Sequence, residues 1–270
     1  MKITILEQNG NSLRFVLSGV SAPFANAIRR IIMAEVPTMA IDDVMMFENT
    51  SAMFDEMIAH RLGLVPLTTD LDTYLLPEEC DCKSEFGCNN CRVSFTLDVE
   101  AEAESQIVYS GDLIPENADV SPAVKKIPIV KLATNQRLKL EAYAKLGKGL
   151  EHAKWQPVSA STYKFMPIVE IDTKKCDGCG DCVKYCPKNV FSIVKSKPVV
   201  QNEINCTLCM ECIRHCPIEP SPIKISHDKK TFIFYIESTG SMPASKLVKE
   251  AVKILERKTQ SVIEQYKKVK

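Results

Sequence analysis

The chain opens on alternating polarity. Lys2 to Gln8 and Ser12 to Ser18 each switch between apolar and polar residues, and Asn9-Gly10 stands between them. Period-two alternation around a pair that tolerates positive φ predicts two strands joined by a tight turn. The period then lengthens. In "SAPFANAIRRIIMAEVP", Phe24, Ala27, Ile28, Ile31 and Ile32 recur at helical spacing. Pro23 suits a first turn and Pro37 follows the end, which predicts a helix with Asn26, Arg29 and Arg30 off its apolar face. "TMAIDDVMMFEN" reads as a strand. "SAMFDEMIAHRLGLVPL" reads as a second helix, with Phe54, Ile58 and Leu62 inward and Pro66 beyond its end.

From about residue 70 to 168 the chain is richer in turns and β-branched residues, and "RVSFTLDVEAEA", "QIVYSGDL" and "QRLKLEAYAKLGKG" read as strands. "MPIVEID" predicts a strand leading into a cysteine-rich stretch, and "NVFSIVKSKPVV" a hairpin inside that stretch. "IKISHDKKTFIFYIES" reads as a further hairpin turning at Asp228-Lys229. From Pro243 to about Lys267 nothing breaks a helix, and Val248, Ala251, Val252, Leu255, Val262, Ile263 and Tyr266 form a stripe along it. At 1.5 Å per residue such a rod is roughly 35 to 40 Å long. It is longer than a small domain needs, so its stripe is expected to pack against a partner as well. The fold class is α+β.

Composition narrows the function. The 34 basic and 34 acidic residues of the 270 cancel. No global positive field therefore draws the chain to nucleic acid, and direct nucleic-acid binding is not expected. No stretch approaches the roughly 20 apolar residues that span a bilayer, so no membrane association is expected. The first residues lack a signal-peptide core, which gives a cytoplasmic expectation. Twelve cysteines in an unsecreted chain favour metal binding over a disulfide framework, hyperthermophile cytosols excepted.

Eight of the cysteines share one spacing. "KKCDGCGDCVKYCP" and "INCTLCMECIRHCP" each read C-x2-C-x2-C-x3-C-P, 30 positions apart. Iron–sulfur clusters use this run, whereas zinc is usually held by separated C-x2-C pairs. Residues 166 to 226 resemble two-cluster bacterial ferredoxins. The resemblance implies one cluster on Cys176, Cys179, Cys182 and Cys216 and another on Cys186, Cys206, Cys209 and Cys212. One or two 4Fe-4S clusters, or a 3Fe-4S variant, are thus expected. If one site alone is filled, it is expected to be the second. The first loop is open and acidic, with Asp177, Gly178, Gly180 and Asp181, while Leu208 and Met210 would shield the second. No G-x-G-x-x-G follows a strand to receive electrons. The remaining four, Cys80, Cys82, Cys88 and Cys91, suit a tetrahedral zinc or a pair of disulfides.

Two stretches outside the cassette carry a second resemblance. "FANAIRRIIMAEVPTMAIDDV" (24–44) and "MIAHRLGLVPL" (57–67) are similar to the assembly domain shared by the bacterial RNA polymerase α subunit and the third-largest subunit of eukaryotic polymerase II. "LEAYAKLGKGLEHAKWQPVSAST" (140–162) and the ferredoxin-like insertion place the resemblance in the archaeal branch. It implies a noncatalytic scaffold in three parts. Residues 1–45 with 227–270 would form a discontinuous dimerisation domain, 46–168 an inserted, mainly β second domain, and 169–226 the ferredoxin-like domain. It also implies a heterodimer with the smaller subunit L, formed through Phe24, Ile28, Arg29, Arg30, Ile31, Ile32, Val248, Val252, Leu255 and Val262. The second-largest subunit, reached by Arg29 and Arg30, and the small subunits N and P are the other partners implied.

No Ser-His-Asp or paired-carboxylate constellation appears, so no catalytic residue is expected. The family places the magnesium-binding acids in its largest subunit. His60 reads as a hydrogen-bonded structural residue. "LGKGLEHAKW" lacks the spacing and Ser/Thr of a phosphate loop, and His152 with Trp155 reads as part of a contact surface. The alternative, a ferredoxin-like electron-transfer subunit of an oxidoreductase, would leave residues 24–67 and 140–162 without a use.

Overall fold

The structure is a computed structural model that describes residues 1–82, 84 and 87–269. The first half contains β1 (Lys2–Asn9), β2 (Ser12–Ser18), α1 (Ala22–Ala34), β3 (Thr38–Asn49), α2 (Asp55–Gly63), β4 (Arg92–Ala101), β5 (Gln106–Tyr109), β6 (Ile114–Pro115) and β7 (Pro128–Leu132). The second half contains β8 (Gln136–Gly147), β9 (Val158–Ile171), α3 (Asp181–Lys184), β10 (Phe191–Val194), β11 (Lys197–Val200), α4 (Glu211–Arg214), β12 (Ile223–Ser238) and α5 (Ala244–Val269). The mixed α and β content agrees with the α+β expectation.

Two compact units emerge. One comprises Met1–Ile5, Phe15–Ala25 and Tyr163–Phe234; the other comprises Leu6–Arg14, Asn26–Thr162 and Tyr235–Lys270. β1, β2, β12 and β9 lie in that order in one four-stranded sheet.

In the larger unit a second four-stranded sheet runs β3-β8-β4-β6, antiparallel throughout. Its register sets Phe95 opposite Ala142 and Leu97 opposite Leu140, so one pleated face is apolar and buried. Ile58 and Leu62 of α2 join the same core. The other face is charged: Arg137 donates to Asp98 at 2.9 Å and Lys139 lies 3.3 Å from the same carboxylate. Phe54 does not face inward as the helical spacing predicted. It precedes the helix with extended backbone, which turns its ring off the stripe and leaves it 77% exposed.

In the smaller unit the core joins Val169, Val190, Phe191 and Ile223 to three cysteines, Cys182, Cys206 and Cys212. Phe15 stacks on Phe234 at 5.0 Å, and Tyr163 meets Phe232 edge-on at 5.3 Å. The hairpin read in "NVFSIVKSKPVV" is β10 against β11, turning through positive φ at Lys195 and Ser196. The turn expected at Asp228-Lys229 is absent. β12 runs unbroken from Ile223 to Ser238, while Asp228 accepts bonds from the Lys230 N–H and the Thr231 hydroxyl. A polar cluster that usually marks a reversal is satisfied here along a continuous strand. Likewise β9 begins well before "MPIVEID", at Val158.

Candidate functional site

The two cysteine runs fold as a structural duplicate offset by 30 residues. α3 and α4 each follow a residue in the left-handed region, Gly180 at φ 82° and Met210 at φ 65°. Two positions earlier the pattern repeats, with Gly178 at φ 84° and Leu208 at φ 60°. A tight loop carrying three thiols toward one point needs these reversals. The first run meets them with glycine, which adopts them without strain; the second forces them on side chains. A Cβ at Gly178 would also strike the carbonyl of Ser196, so that glycine is required twice over. Leu208 packs on the core of this unit, whereas Met210 stays open. Of the two residues expected to shield the second loop, one therefore does so.

Between the runs lie two small pockets. One is lined by Cys176, Cys179, Cys182 and Cys216 with Asp177, Pro198 and Ile223. The other is lined by Cys186, Cys206, Cys209 and Cys212 with Val190, Phe191 and Ile225. Each encloses about 280 Å³ of atom-free space, open rim included. Three thiols in each set come from one loop and the fourth from the other run, the sharing implied by the ferredoxin resemblance. Burial pushes the Cys182 thiol up to about 11 and the Cys212 thiol up to about 12. Although the Asp181 backbone N–H lowers Cys179, burial and the carboxylates of Asp177 and Asp181 hold it above its ordinary value. Left alone these thiols stay protonated, and a bound metal would displace the protons. Two N–H groups point at sulfur in the second pocket: Val190 donates to Cys186 Sγ at 3.4 Å and Leu208 to Cys206 Sγ at 3.5 Å. Four thiols per pocket, three from one run and the fourth from the other, make a donor set that fits an iron–sulfur cluster.

A junction between the runs escaped the sequence reading. Tyr185 and His215, each just before a Cys-Pro, stack at 3.9 Å and 12°. Their equivalence at the 30-residue offset was the available signal.

The other four cysteines lie in the larger unit. Sγ atoms of Cys80, Cys82, Cys88 and Cys91 all fall within 4.8 Å of one another. Cys80 and Cys88 are 3.7 Å apart, Cys82 and Cys91 3.8 Å, Cys88 and Cys91 3.9 Å. A disulfide would bring two sulfurs to about 2.05 Å. Four sulfurs at 2.3 Å from one zinc sit about 3.8 Å apart along each edge of the tetrahedron. The observed spacing matches the tetrahedron. The Asn90 backbone N–H, helped by neighbouring thiols, lowers Cys88 to about 7, which readies one ligand for deprotonation.

The helices differ from expectation in an instructive way. Ile28, Ile31 and Ile32 are buried within the chain itself, so the apolar stripe of α1 is satisfied internally rather than left open. Phe24 is half-buried and Arg30 exposed, while Arg29 is tied to Asn26 at 3.0 Å and to Met33 Sδ at 3.2 Å. On α5 the buried face is Leu247, Ala251 and Ile254; Val248 and Leu255 are half-covered. Val252, Val262, Ile263 and Tyr266 are exposed. In the distal half of this helix, about 39 Å long over 26 residues, Val262 and Ile263 are 67% and 47% exposed.

His152 and Trp155 fall on a short turn, where Gly147 leaves room for the indole; a Cβ there would strike its ring. Trp155 is buried, donating to the Lys145 carbonyl at 3.2 Å, so it serves packing rather than an open surface. Among the described residues no helix is long and apolar enough to cross a membrane.

Two cysteine pockets in one unit and, in the other, a long helix with exposed Val252 and Val262 are features of a protein that assembles with others, and the chain belongs to the RNA polymerase Rpb3/Rpb11 dimerisation domain family, whose model it matches over residues 14–259. Its similarity extends to whole proteins. It is 44% identical over 266 residues to the DNA-directed RNA polymerase subunit Rpo3 of Methanothermobacter thermautotrophicus, covering 97% of this chain and 98% of that one. It is 43% identical over 265 residues to that of Methanosphaera stadtmanae, covering 97% of each, and 40% identical over 273 residues to that of Pyrococcus furiosus, covering 100% of this chain and 98% of the other.

Proposed function

We propose that the chain is the noncatalytic assembly subunit of an archaeal DNA-dependent RNA polymerase, pairing with an L/Rpb11-type subunit and through that pair gathering the large subunits. The family match across residues 14–259 carries this reading. The exposed stripe Val252, Val262, Ile263 and Tyr266 on α5 supports it, since apolar side chains in a row call for a covering partner. The partner's footprint centres on this stripe and on half-covered Val248 and Leu255. The second-largest subunit, approached by Arg30, and the small subunits N and P complete the set. Residues 1–45 with 227–270 serve dimerisation, 46–168 form the inserted second domain, and 169–226 form the ferredoxin-like insertion.

The metal centres are structural or regulatory in this reading. Cys176, Cys179, Cys182 and Cys216 hold one iron–sulfur cluster, and Cys186, Cys206, Cys209 and Cys212 another. Cys80, Cys82, Cys88 and Cys91 hold zinc, supported by sulfur spacings of 3.7 to 3.9 Å. Bound clusters would supply cross-linking of the two runs and a capacity for one-electron change. The electron-transfer alternative is disfavoured by a family match that reaches far outside the cassette.

The test is co-expression with an L-type subunit followed by size exclusion and metal analysis under anaerobic conditions. A 1:1 complex carrying iron, sulfide and one zinc is expected. A monodisperse single chain indifferent to L would overturn the assembly reading. In a Cys206→Ser, Cys209→Ser variant the iron content is expected to fall while the heterodimer survives.

A further inference from the structure

The two cysteine pockets share a fold but not a charge environment. Asp177 lines the first pocket, and its carboxylate accepts the Cys179 N–H at 3.1 Å. Asp181 stands beside the same thiol. The equivalent acid of the second run, Glu211, is paired instead with Arg214 at 2.7 Å. Lys197 is tied to the first run only at the Thr173 carbonyl, three residues before its first cysteine, at 2.6 Å, whereas around the second pocket cations stand closer to the thiols. Lys188 lines its wall. Lys164, half-buried on β9, reaches under the loop and donates to the carbonyls of Ile204 at 2.6 Å and Cys206 at 2.8 Å. One ammonium thus fixes the backbone of the first thiol in that run and sets a positive charge beneath it. The two N–H···S bonds to Cys186 and Cys206 act in the same direction as the lysines.

An iron–sulfur centre becomes more negative when it gains an electron, so nearby cations and N–H donors favour the reduced form while carboxylates oppose it. Resting on the cluster reading above, we propose that the pockets are inequivalent. Lys164 is the positioning residue that makes the pocket of Cys186, Cys206, Cys209 and Cys212 the one to accept an added electron first. The step is a one-electron reduction by an external one-electron donor. No bond forms or breaks and no proton moves; the donor is oxidised by one electron for each cluster reduced.

The experiment is a dithionite titration of the anaerobically purified heterodimer, followed by EPR, with iron and sulfide counted in the same samples. Wild type is expected to show two midpoints. Lys164→Met should lower the higher midpoint and leave the lower one in place, and Lys164→Arg should restore it. Asp177→Asn with Asp181→Asn should raise the lower midpoint and narrow the gap. Should Lys164→Met fail to load the second pocket, Lys164→Gln, which keeps a donor for the two carbonyls without the charge, decides: a lowered higher midpoint supports the proposal and an unchanged one overturns it. Full iron with coincident midpoints, or an Arg variant that behaves as Met does, overturns it as well. Absence of iron from wild type would instead remove the cluster reading on which it stands.

Discussion

Replacing Val262 and Ile263 of α5 by serine probes the assembly face without touching any core. The two side chains are 67% and 47% exposed in the lone chain, so about two thirds of the burial of one and about half that of the other is left for a partner to complete. Fully burying a residue of this size is worth about 1.5–3 kcal/mol. Scaled by the open fractions, Val262 has about 1–2 kcal/mol and Ile263 about 0.7–1.4 kcal/mol still to gain. The double variant should therefore lose about 2–3 kcal/mol of association, which weakens Kd by roughly 30- to 150-fold. The assay is calorimetric titration with an L-type subunit. Gln260→Ser with Glu264→Ser is the control, at positions turned away from the stripe. Serine has about the helix propensity of valine and isoleucine and only slightly less than that of glutamine and glutamate, so circular dichroism should read nearly alike for both variants. A double variant that is fully helical and binds within twofold of wild type would refute the argument that this stripe is the docking face.

Gly147→Ala should destabilise the chain by about 1–3 kcal/mol in urea unfolding, because the new methyl meets the Trp155 ring. Asp42 holds both Lys145 and Lys154, and Asp42→Asn should cost about 1 kcal/mol after solvent screening. Burial raises the Asp42 pKa but the two lysines outweigh it, leaving it below 3.8. Its contribution is thus complete above the ordinary carboxylate range and lost as pH falls through the depressed pKa, which an acid titration of wild type against the variant reads directly. Cys88→Ser should abolish the single zinc equivalent in elemental analysis without changing iron. In the metal-free protein the lowered Cys88 thiol adds stability that is complete above its ordinary 9.0 and lost as pH falls through about 7. Zinc uptake should weaken over the same fall as protons compete for the thiolate.

Period and punctuation carried most elements into view. Asn9-Gly10 marked the first turn, Pro37 and Pro66 the helix ends, and period-two alternation the strands β3, β4 and β8. Failures came where local chemistry is ambiguous. Asp228 with two lysines signals a turn, yet the carboxylate satisfies its neighbours along a straight strand. Phe54 sits at helical spacing but one residue outside the helix. Ile28, Ile31 and Ile32 show that an apolar stripe states only that a face is covered. Whether the cover comes from the same chain or from another depends on tertiary packing that no spacing encodes. Lys164 was illegible for the same reason: it lies some 40 residues from the loop it holds.

Sulfur spacing bears on the four cysteines that sequence alone left between zinc and a pair of disulfides. A single tetrahedral ion draws its four ligands to a common edge of about 3.8 Å, and the group at Cys80 to Cys91 has that edge along three measured sides. A cluster interposes several irons and sulfides, so its cysteines stand farther apart around a void. Eight further cysteines line two pockets, four to each. Each pocket's fourth cysteine belongs to the other run, so filling either pocket ties both runs together. Cluster loss should then loosen the whole insertion rather than one loop, whereas zinc loss should act only on the segment from Cys80 to Cys91. Limited proteolysis after selective iron or zinc removal distinguishes the two; cleavage confined to the same segment in both cases would defeat this division.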